Sequence, residues 1–350
     1  MFRKIPFVPA ELQVVDELPG MFGRPATPLK NTPVSPRENI AALYYEKQPF
    51  WMPVSSEIKM AASSVYSDNL GRGMGHDNTD AFGIEWEYIP TVGGSIVRPG
   101  EPLLKDIREW KDKIHFPDLD AYDWAADAAK SKLDQRFSYQ ISLVNGFWFE
   151  RLISFMDFAP AAVALIDEEQ QDSVKELFQA TTDFACKVID KLCEYWPMVD
   201  GFNIHDDWGA QKSPFFSEDI AYEYFVPFMR QLTGHIHAKG RYVTLHSCGH
   251  VDTRVQCFID GGFDEWEPQI MNDIHALYEK WGDKIVLGVW PDRFDPETAT
   301  LEEQREAARN FVKQFCQKGK PAILGHYGAW AQTPAFLEEL YRCSRNFYAG

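Results

Sequence analysis

Arg241-Tyr-Val-Thr-Leu-His-Ser-Cys-Gly-His250 is the stretch that decides how this chain is read. Its apolar, β-branched start predicts a buried strand over 241–245, and the strand runs out into His246-x-Cys248-Gly249. An imidazole and a thiol two residues apart fall on the same side of an extended strand. The glycine that follows lets the backbone turn sharply and leaves room for a ligand. Nitrogen beside soft sulfur is a donor pair that Zn²⁺ prefers. The segment therefore reads as half a metal site at the end of a strand. Taken alone, Cys248 reads better as a small core hydrophobe; its position after His246 and before Gly249 is what makes it a ligand candidate.

Working outward, the same strand–helix rhythm repeats. Strands are predicted at 140–145, 199–204, 241–245, 263–266, 284–289 and 321–324. Between them the periodicity predicts helices at about 149–166, 168–195, 217–239, 251–261, 271–281, 300–317 and 334–347. Such alternation implies parallel strands covered by helices. The expected fold is α/β, a (β/α)8 TIM barrel over residues 1–350 as a single domain, with a doubly wound sheet as the other option. Residues 1–50 are expected to form an N-terminal arm and helix that cover the barrel. Ser35-Pro36-Arg37-Glu38 is a capping box that starts a helix running to about Lys47. Pro49–Pro53 is a short strand candidate, and residues 54–100 read as loop-rich insertions with short strands near 82–88 and 95–98. No GxGxxG follows a strand and no GxxxxGK[ST] occurs, which weakens nucleotide-fold readings.

In a barrel the carboxyl ends of the strands carry the chemistry, and here they end alike. His205, Asp206 and Asp207 follow one strand; His246 and Cys248 the next; Asp264, Glu265, Glu267 and Gln269 the next; then Asp292, and finally His326 and Tyr327. Any one of these is ordinary, whereas five strands in succession point to a site. Plain structural uses stand beside each. His205 can be a satisfied buried histidine, Asp206-Asp207 can cap the following turn, Glu267 can bond loop amides, and His326 divides evenly between ligand and structural use. His235 and His237 end a helix and read as solvated or dipole-paired; His76 and His115 lie in loops and receive no role.

Composition narrows the classes. Of 350 residues 45% are hydrophobic and 25% charged, as in an ordinary soluble globular protein. The net charge of −17 argues against nucleic-acid binding. Six scattered cysteines without a CxxC pair are no disulfide framework. There is no signal-peptide pattern over 1–18 and no run of 18 apolar residues, so a cytoplasmic protein away from the membrane is expected. Aromatics are abundant at 14%, with 11 Trp; they are either core or the walls of a pocket for a flat apolar ligand.

Taken together, these motifs resemble the uroporphyrinogen decarboxylase superfamily, and within it the corrinoid (cobalamin)-dependent methyltransferases. The matching stretches are Asp80-Ala-Phe-Gly-Ile-Glu-Trp86, Pro102-Leu-Leu-Lys-Asp-Ile-Arg-Glu-Trp110, Phe116-Pro-Asp-Leu119, Phe149-Glu-Arg-Leu152, Asp206-Asp-Trp-Gly-Ala-Gln211, Ser217-Glu218, Leu245-His-Ser-Cys-Gly249, Trp266-Glu-Pro-Gln269 and Gln332-Thr-Pro334. They run in order over about residues 75–345. The His-Ser-Cys-Gly and Asp-Asp-x-Gly segments are the most specific. True decarboxylases carry an arginine-containing segment after the first strand; here that place reads Trp51-Met-Pro-Val-Ser-Ser-Glu57, without the arginines that would hold substrate carboxylates.

The resemblance implies a methyltransferase of O-demethylase type. It would move a methyl group from a small donor, with an aromatic methyl ether favoured, to the Co(I) corrinoid of a partner protein. It implies zinc on His246 and Cys248. The family's second cysteine near the last strand is replaced here by Tyr327, so that either His326, Glu267 or an Asp supplies the third ligand, or the site binds metal weakly or not at all. Asp206, Asp207, Glu267 and Tyr327 are the expected catalytic acids. His205, Trp148, Trp208, Trp266, Gln269 and Trp290 are expected to line the donor's pocket, with Phe147 beside them. Three other readings stand: decarboxylation of a smaller acid, zinc-dependent methyl transfer to a thiol, and a non-catalytic barrel that binds a ligand or a corrinoid protein. A homodimer is left open.

Overall fold

The structure, a computed structural model, describes residues 7–18, 27–73, 75–91, 93–98, 100, 102–143 and 145–350. Parts of the expected arm (1–6 and 19–26) and Val144, in the strand expected at 140–145, lie outside the described residues.

In chain order the strands are β1 (Val14–Leu18), β2 (Thr27–Lys30), β3 (Ile58–Met60), β4 (Asn78–Thr79), β5 (Glu85–Ile89), β6 (Gly94–Val97), β7 (Ser138–Leu143), β8 (Gly201–His205), β9 (Tyr242–His246), β10 (Glu265–Trp266), β11 (Val286–Val289) and β12 (Ala322–Leu324). The α-helices are α1 (Pro36–Ala41), α2 (Trp110–Lys113), α3 (Trp124–Ala128), α4 (Phe149–Met156), α5 (Phe158–Ala164), α6 (Gln171–Tyr195), α7 (Glu218–Tyr224), α8 (Val226–Ala238), α9 (Val255–Asp260), α10 (Ile274–Trp281), α11 (Leu301–Phe315) and α12 (Pro334–Ala349). From β7 onward strands and helices alternate as the sequence predicts, and the fold is the α/β barrel class with an N-terminal arm and loop-rich insertions.

The chain packs as two compact units. One comprises Met1–Lys59, Asp134–Ser138 and Asp273–Gly350; the other comprises Met60–Leu133 and Tyr139–Asn272. In the second unit β7, β8, β9 and β10 lie side by side, all parallel, with Asn203 paired to both Ser142 and Thr244, His205 to His246, and Glu265 to Thr244. The two-residue period of a strand then sorts the side chains. Ile141, Leu143, Phe202, Ile204, Val243 and Leu245 are buried apolar residues on one face. On the other, Ser142 Oγ donates to Asn203 Oδ1 (3.1 Å) and Asn203 Nδ2 to Thr244 Oγ1 (2.9 Å), a cross-strand chain of polar groups one layer below the two histidines. The insertion supplies an antiparallel sheet, β4–β5–β6.

Several expected helices are interrupted. The one expected over 149–166 breaks at Asp157, whose φ of 67° no helix accommodates. The one expected over 217–239 breaks at Phe225, just ahead of Pro227, whose missing N–H leaves it suited to a helix start. The helix that starts at the Ser35 capping box widens into a π-helical turn at Ala42–Glu46 and ends at Lys47 with φ 55°.

In the first unit β11 and β12 are parallel, and the strand expected at Pro49–Pro53 reduces to one bridge between Val54 and Leu324. α11 begins with a Thr300–Glu303 capping box and packs on α12. The arm folds as a β1–β2 hairpin, and Glu11 accepts hydrogen bonds from Tyr341 Oη (2.6 Å) and Arg345 Nε (3.2 Å) of α12.

Candidate active site at the carboxyl ends of β8 and β9

His205 and His246 are the last residues of neighbouring parallel strands, so the register itself sets them side by side. Their rings stack with centroids 4.1 Å apart and planes 15° from parallel. His205 Nδ1 lies 2.9 Å from Glu150 Oε2, which fixes the ring and leaves Nε2 directed elsewhere. His246 Nε2 lies 3.1 Å from Cys248 Sγ and 3.8 Å from Asp207 Oδ1. Ligand atoms of His205, Asp207 and His246 all fall within 4.8 Å of one another.

The two aspartates of the Asp-Asp-Trp-Gly segment divide their work. Asp206 is fully buried and turned away into structure. It accepts from the amides of Phe149 (3.3 Å) and Glu150 (3.0 Å) at the start of α4, and from Trp208 Nε1 (2.8 Å). A carboxylate suits the unsatisfied amides of a helix start, and here it also positions Glu150. The close approach needs Gly146, where a Cβ would sit 2.4 Å from the His205 carbonyl oxygen. Asp207 faces the histidines and accepts from the Cys248 amide (2.7 Å).

The loop after β9 is pinned by side chains from both neighbours. Gln269 accepts from the Gly249 amide (2.6 Å) and directs Nε2 to Cys248 Sγ (3.3 Å); Asn272 accepts from the Val251 amide (3.1 Å) and donates to the Gly249 carbonyl (3.0 Å). Gly249 has φ 98°, and a Cβ on it would lie 2.3 Å from the Gly209 backbone. The glycines of the two most specific motifs therefore exist for each other: Gly209 and Gly249 are where the two loops meet backbone to backbone.

The electrostatics follow from enclosure. Burial pushes the Asp206 carboxyl up to about 8, with the nearby Glu150 charge adding to it and its three donors opposing. Burial and then Glu150 raise Asp207. Burial and the Asp207 carboxylate hold the Cys248 thiol well above its ordinary value. Burial acts against the charged forms of Glu150 and His205 too, but their mutual attraction prevails, lowering the first and raising the second.

Of the other expected pocket residues, Trp148, Trp208 and Trp266 have no exposed surface. Trp148 Nε1 donates to Thr182 Oγ1 (3.0 Å), and the Trp208 ring packs among Phe216, Phe225 and Phe258. Phe147 is also buried. They form the wall behind the rim. Glu267 is half-buried just after β10. Trp290, His326 and Tyr327 belong to the first unit; His326 is exposed, and the Trp290 and Tyr327 rings meet edge to face at 6.3 Å. His235 and His237 pair with Asp190 (2.9 Å) and Asp264 (2.8 Å).

Two participants were missed from sequence. Glu150 lies 55 positions from His205, in the Phe149-Glu-Arg-Leu152 segment, and nothing local marks it. Arg72, in the loop ahead of β4, acts on Glu150, His205 and Cys248 through its charge. The Asp80–Trp86 and Phe149–Leu152 motifs meet in a buried ion pair. Arg151 Nη1 lies 3.0 Å from Asp80 Oδ2, and Asp80 also accepts from Trp86 Nε1 (3.0 Å).

No protein-family model matches this chain, and a search of curated proteins finds no significant match. Solved structures do resemble it. A methyltransferase from Methanosarcina mazei superposes with a TM-score of 0.60 at 13% identity, covering 91% of this chain and 100% of that one. Xylanase B from Clostridium stercorarium F9 gives 0.32 at 12% identity over 60% of this chain and 74% of that one. D-psicose 3-epimerase gives 0.29 at 11% over 65% and 90%. The first of these shares the fold.

The rim's donor set fits zinc. Two imidazoles, a thiol and a carboxylate approach one another, and tetrahedral zinc takes such mixed nitrogen, sulfur and oxygen donors. His205 already has the carboxylate partner on Nδ1 that metal-binding histidines ordinarily show. A bound cation would favour the carboxylate form of Asp207 and deprotonate a coordinating thiol. Among the described residues no helix is long and apolar enough to cross a membrane.

Proposed function

We propose that this protein is the methyltransferase component of an O-demethylase system, moving the methyl group of a small, preferably aromatic, ether to the Co(I) corrinoid of a separate protein. The observation that carries the reading is the convergence of His205, Asp207, His246 and Cys248 at adjacent strand ends. His246 and Cys248 would hold zinc, with His205 and Asp207 beside them. Zinc there supplies a Lewis acid for an ether oxygen.

The chain's own residues do the rest. Ether cleavage is slow because an alkoxide or phenoxide leaves poorly, so the departing oxygen must take a proton or have its charge stabilised as the C–O bond breaks. Of the acids expected from sequence, Asp207 has its Oδ1 3.8 Å from His246 Nε2 and is the first candidate, with Glu267 the next. Glu150 fixes the orientation of His205, and Asp206 fixes Glu150. Gln269 and the Asp207 carboxylate hold Cys248 in place. Together these contacts keep the reacting groups in register, where alignment lowers the barrier most.

The test is metal analysis of the purified protein, followed by incubation with reduced corrinoid protein and a panel of methyl donors. An ether-dependent change in corrinoid absorbance is the expected result. Release of CO₂ without corrinoid, or turnover that depends on a thiol and not on an ether, would replace this reading with decarboxylation or thiol methylation. Corrinoid-protein binding with no turnover on any donor would leave a non-catalytic barrel.

A further inference from the structure

We infer that Asn203 reads the far end of the methyl donor, and that the donor is a methoxy-aromatic with a hydroxyl para to its ether. Only the word donor rests on the functional reading above; the hydroxyl subsite stands on the strands alone.

The strand register builds the subsite in rows. His205 and His246 form the row at the strand ends. Two residues earlier on each strand, and so on the same face, Asn203 and Thr244 are paired, with Ser142 of β7 on one side and Glu265 of β10 on the other. At a rise of about 3.3 Å per residue this second row lies roughly 6.6 Å below the histidines. Two residues further down, Gly201 and Tyr242 are paired. A Cβ on Gly201 would lie 2.3 Å from Tyr242 Cε2, so the tyrosine ring lies across the glycine. The histidines thus stand over a polar row, and the polar row over an aromatic floor.

The polar row is not what packing calls for. In a TIM barrel the strand face away from the helices is filled by layers of bulky branched residues. Here that face holds serine, asparagine and threonine, and asparagine is depleted in strands. Asn203 lies on β8, between β7 and β9, yet it and Ser142 are only half-buried.

The hydrogen bonds within the row leave a defined remainder. Ser142 Oγ donates its proton to Asn203 Oδ1 (3.1 Å), and Asn203 Nδ2 donates one of its two to Thr244 Oγ1 (2.9 Å). A side-chain amide has two N–H donors and two acceptor lone pairs, and a serine hydroxyl has one donor and two lone pairs. The second Nδ2 proton therefore remains, with lone pairs on Asn203 Oδ1 and Ser142 Oγ beside it. A donor next to acceptors fits a hydroxyl, which gives one hydrogen bond and takes another. The reaction sets the direction. A methyl group handed to a corrinoid on a separate protein must point out past the strand ends, so the rest of the donor points down the strands. With the ether oxygen at the histidine row, a benzene ring occupies the drop and a para hydroxyl arrives at Asn203. An ortho hydroxyl stays beside the ether, too high to reach it.

The experiment is calorimetric binding of 4-methoxyphenol, 2-methoxyphenol and methoxybenzene to the full chain as purified, wild type and the variants Asn203→Leu and Ser142→Ala. Wild type is expected to bind 4-methoxyphenol at least about 10-fold more tightly than either of the others. Asn203→Leu, close in shape but without the amide, should abolish that preference, and Ser142→Ala should reduce it in part. A wild type that binds the three alike, favours 2-methoxyphenol or binds none would overturn the subsite, as would a folded Asn203→Leu that keeps the preference. Circular dichroism establishes folding; should Asn203→Leu fail to fold, an undiminished preference in Ser142→Ala overturns the subsite instead. The two readings fail separately. Preference for 4-methoxyphenol without methyl transfer to corrinoid would defeat the demethylase and leave the subsite. Transfer from all three ethers with equal kcat/KM would defeat the subsite and leave the demethylase.

Discussion

At the scale of single residues, the molecule separates positions that contribute chemistry from positions that make room for it. In the proposed function Cys248 belongs to the first kind. Replacing it with Ala, or stripping metal with a chelator, should cut methyl transfer at least about 100-fold while the protein stays folded. Corrinoid absorbance and bound-metal content measured on the same samples would show it, and full activity in metal-free Cys248→Ala would remove the metal from the mechanism. Gly249 belongs to the second kind. Its φ of 98° and the 2.3 Å approach of a Cβ to Gly209 make Gly249→Ala strained and crowded at once. A loss of about 3 kcal/mol is expected, read by urea unfolding; a change below about 1 kcal/mol would mean that the loops part easily. Glu150 stands between the two kinds. Glu150→Gln keeps a hydrogen bond to His205 but removes the charge that raises its pKa. The His205 imidazole should therefore titrate at lower pH in the variant, which proton NMR of the ring would report.

At the scale of elements, ion pairs join helices that the chain places far apart. Glu339 on α12 meets Arg342 on its own helix and Arg309 of α11 (3.1 Å). The hydrogen bond from Arg342, then that from Arg309, holds the Glu339 carboxyl down to about 2, against burial, from an ordinary value near 4.5. A carboxyl whose folded pKa is depressed stabilises the fold above its unfolded pKa and loses that contribution as pH falls toward the folded one. Glu339→Gln should accordingly cost roughly 1–2 kcal/mol at pH 7 and close to nothing at pH 2. Urea melts at the two pH values give the comparison, and an equal loss at both would show that packing rather than charge is responsible.

The elements also show what a sequence discloses. The parallel strands and most helices were legible because a strand's apolar runs and a helix's 3.6-residue period are local properties. His246, Cys248 and His205 were legible because they stand directly at strand ends. Glu150 and Arg72 were not, since their relation to the histidines is made only by folding. The breaks at Asp157 and Phe225 escaped for a related reason, because an apolar period continues across them and hides a change of direction. Three of the four tryptophans expected to line a pocket, Trp148, Trp208 and Trp266, are fully buried and illustrate a further limit. Composition shows a surplus of large rings, but whether a ring faces a ligand or a packed helix depends on which side of the backbone it leaves.

At the scale of the whole molecule, the net charge of −17 sets what can approach. Like charge repels polyanions over about a Debye length, roughly 10 Å at 0.1 M salt. The protein should pass through heparin at low salt and be retained by an anion exchanger; retention on heparin would reveal a concealed basic face.

The loop that carries Cys248 is fastened by Asp207, Gln269 and Asn272, all of them protein groups. In small zinc domains, by contrast, the ion itself supplies the folding energy and the apo chain is a coil. Here the scaffold is preassembled, so if zinc binds as proposed, loading should resemble a key entering a finished lock. Apo protein would keep its near-ultraviolet dichroism, and ion uptake would proceed at a rate set by encounter and proton release, with no refolding delay.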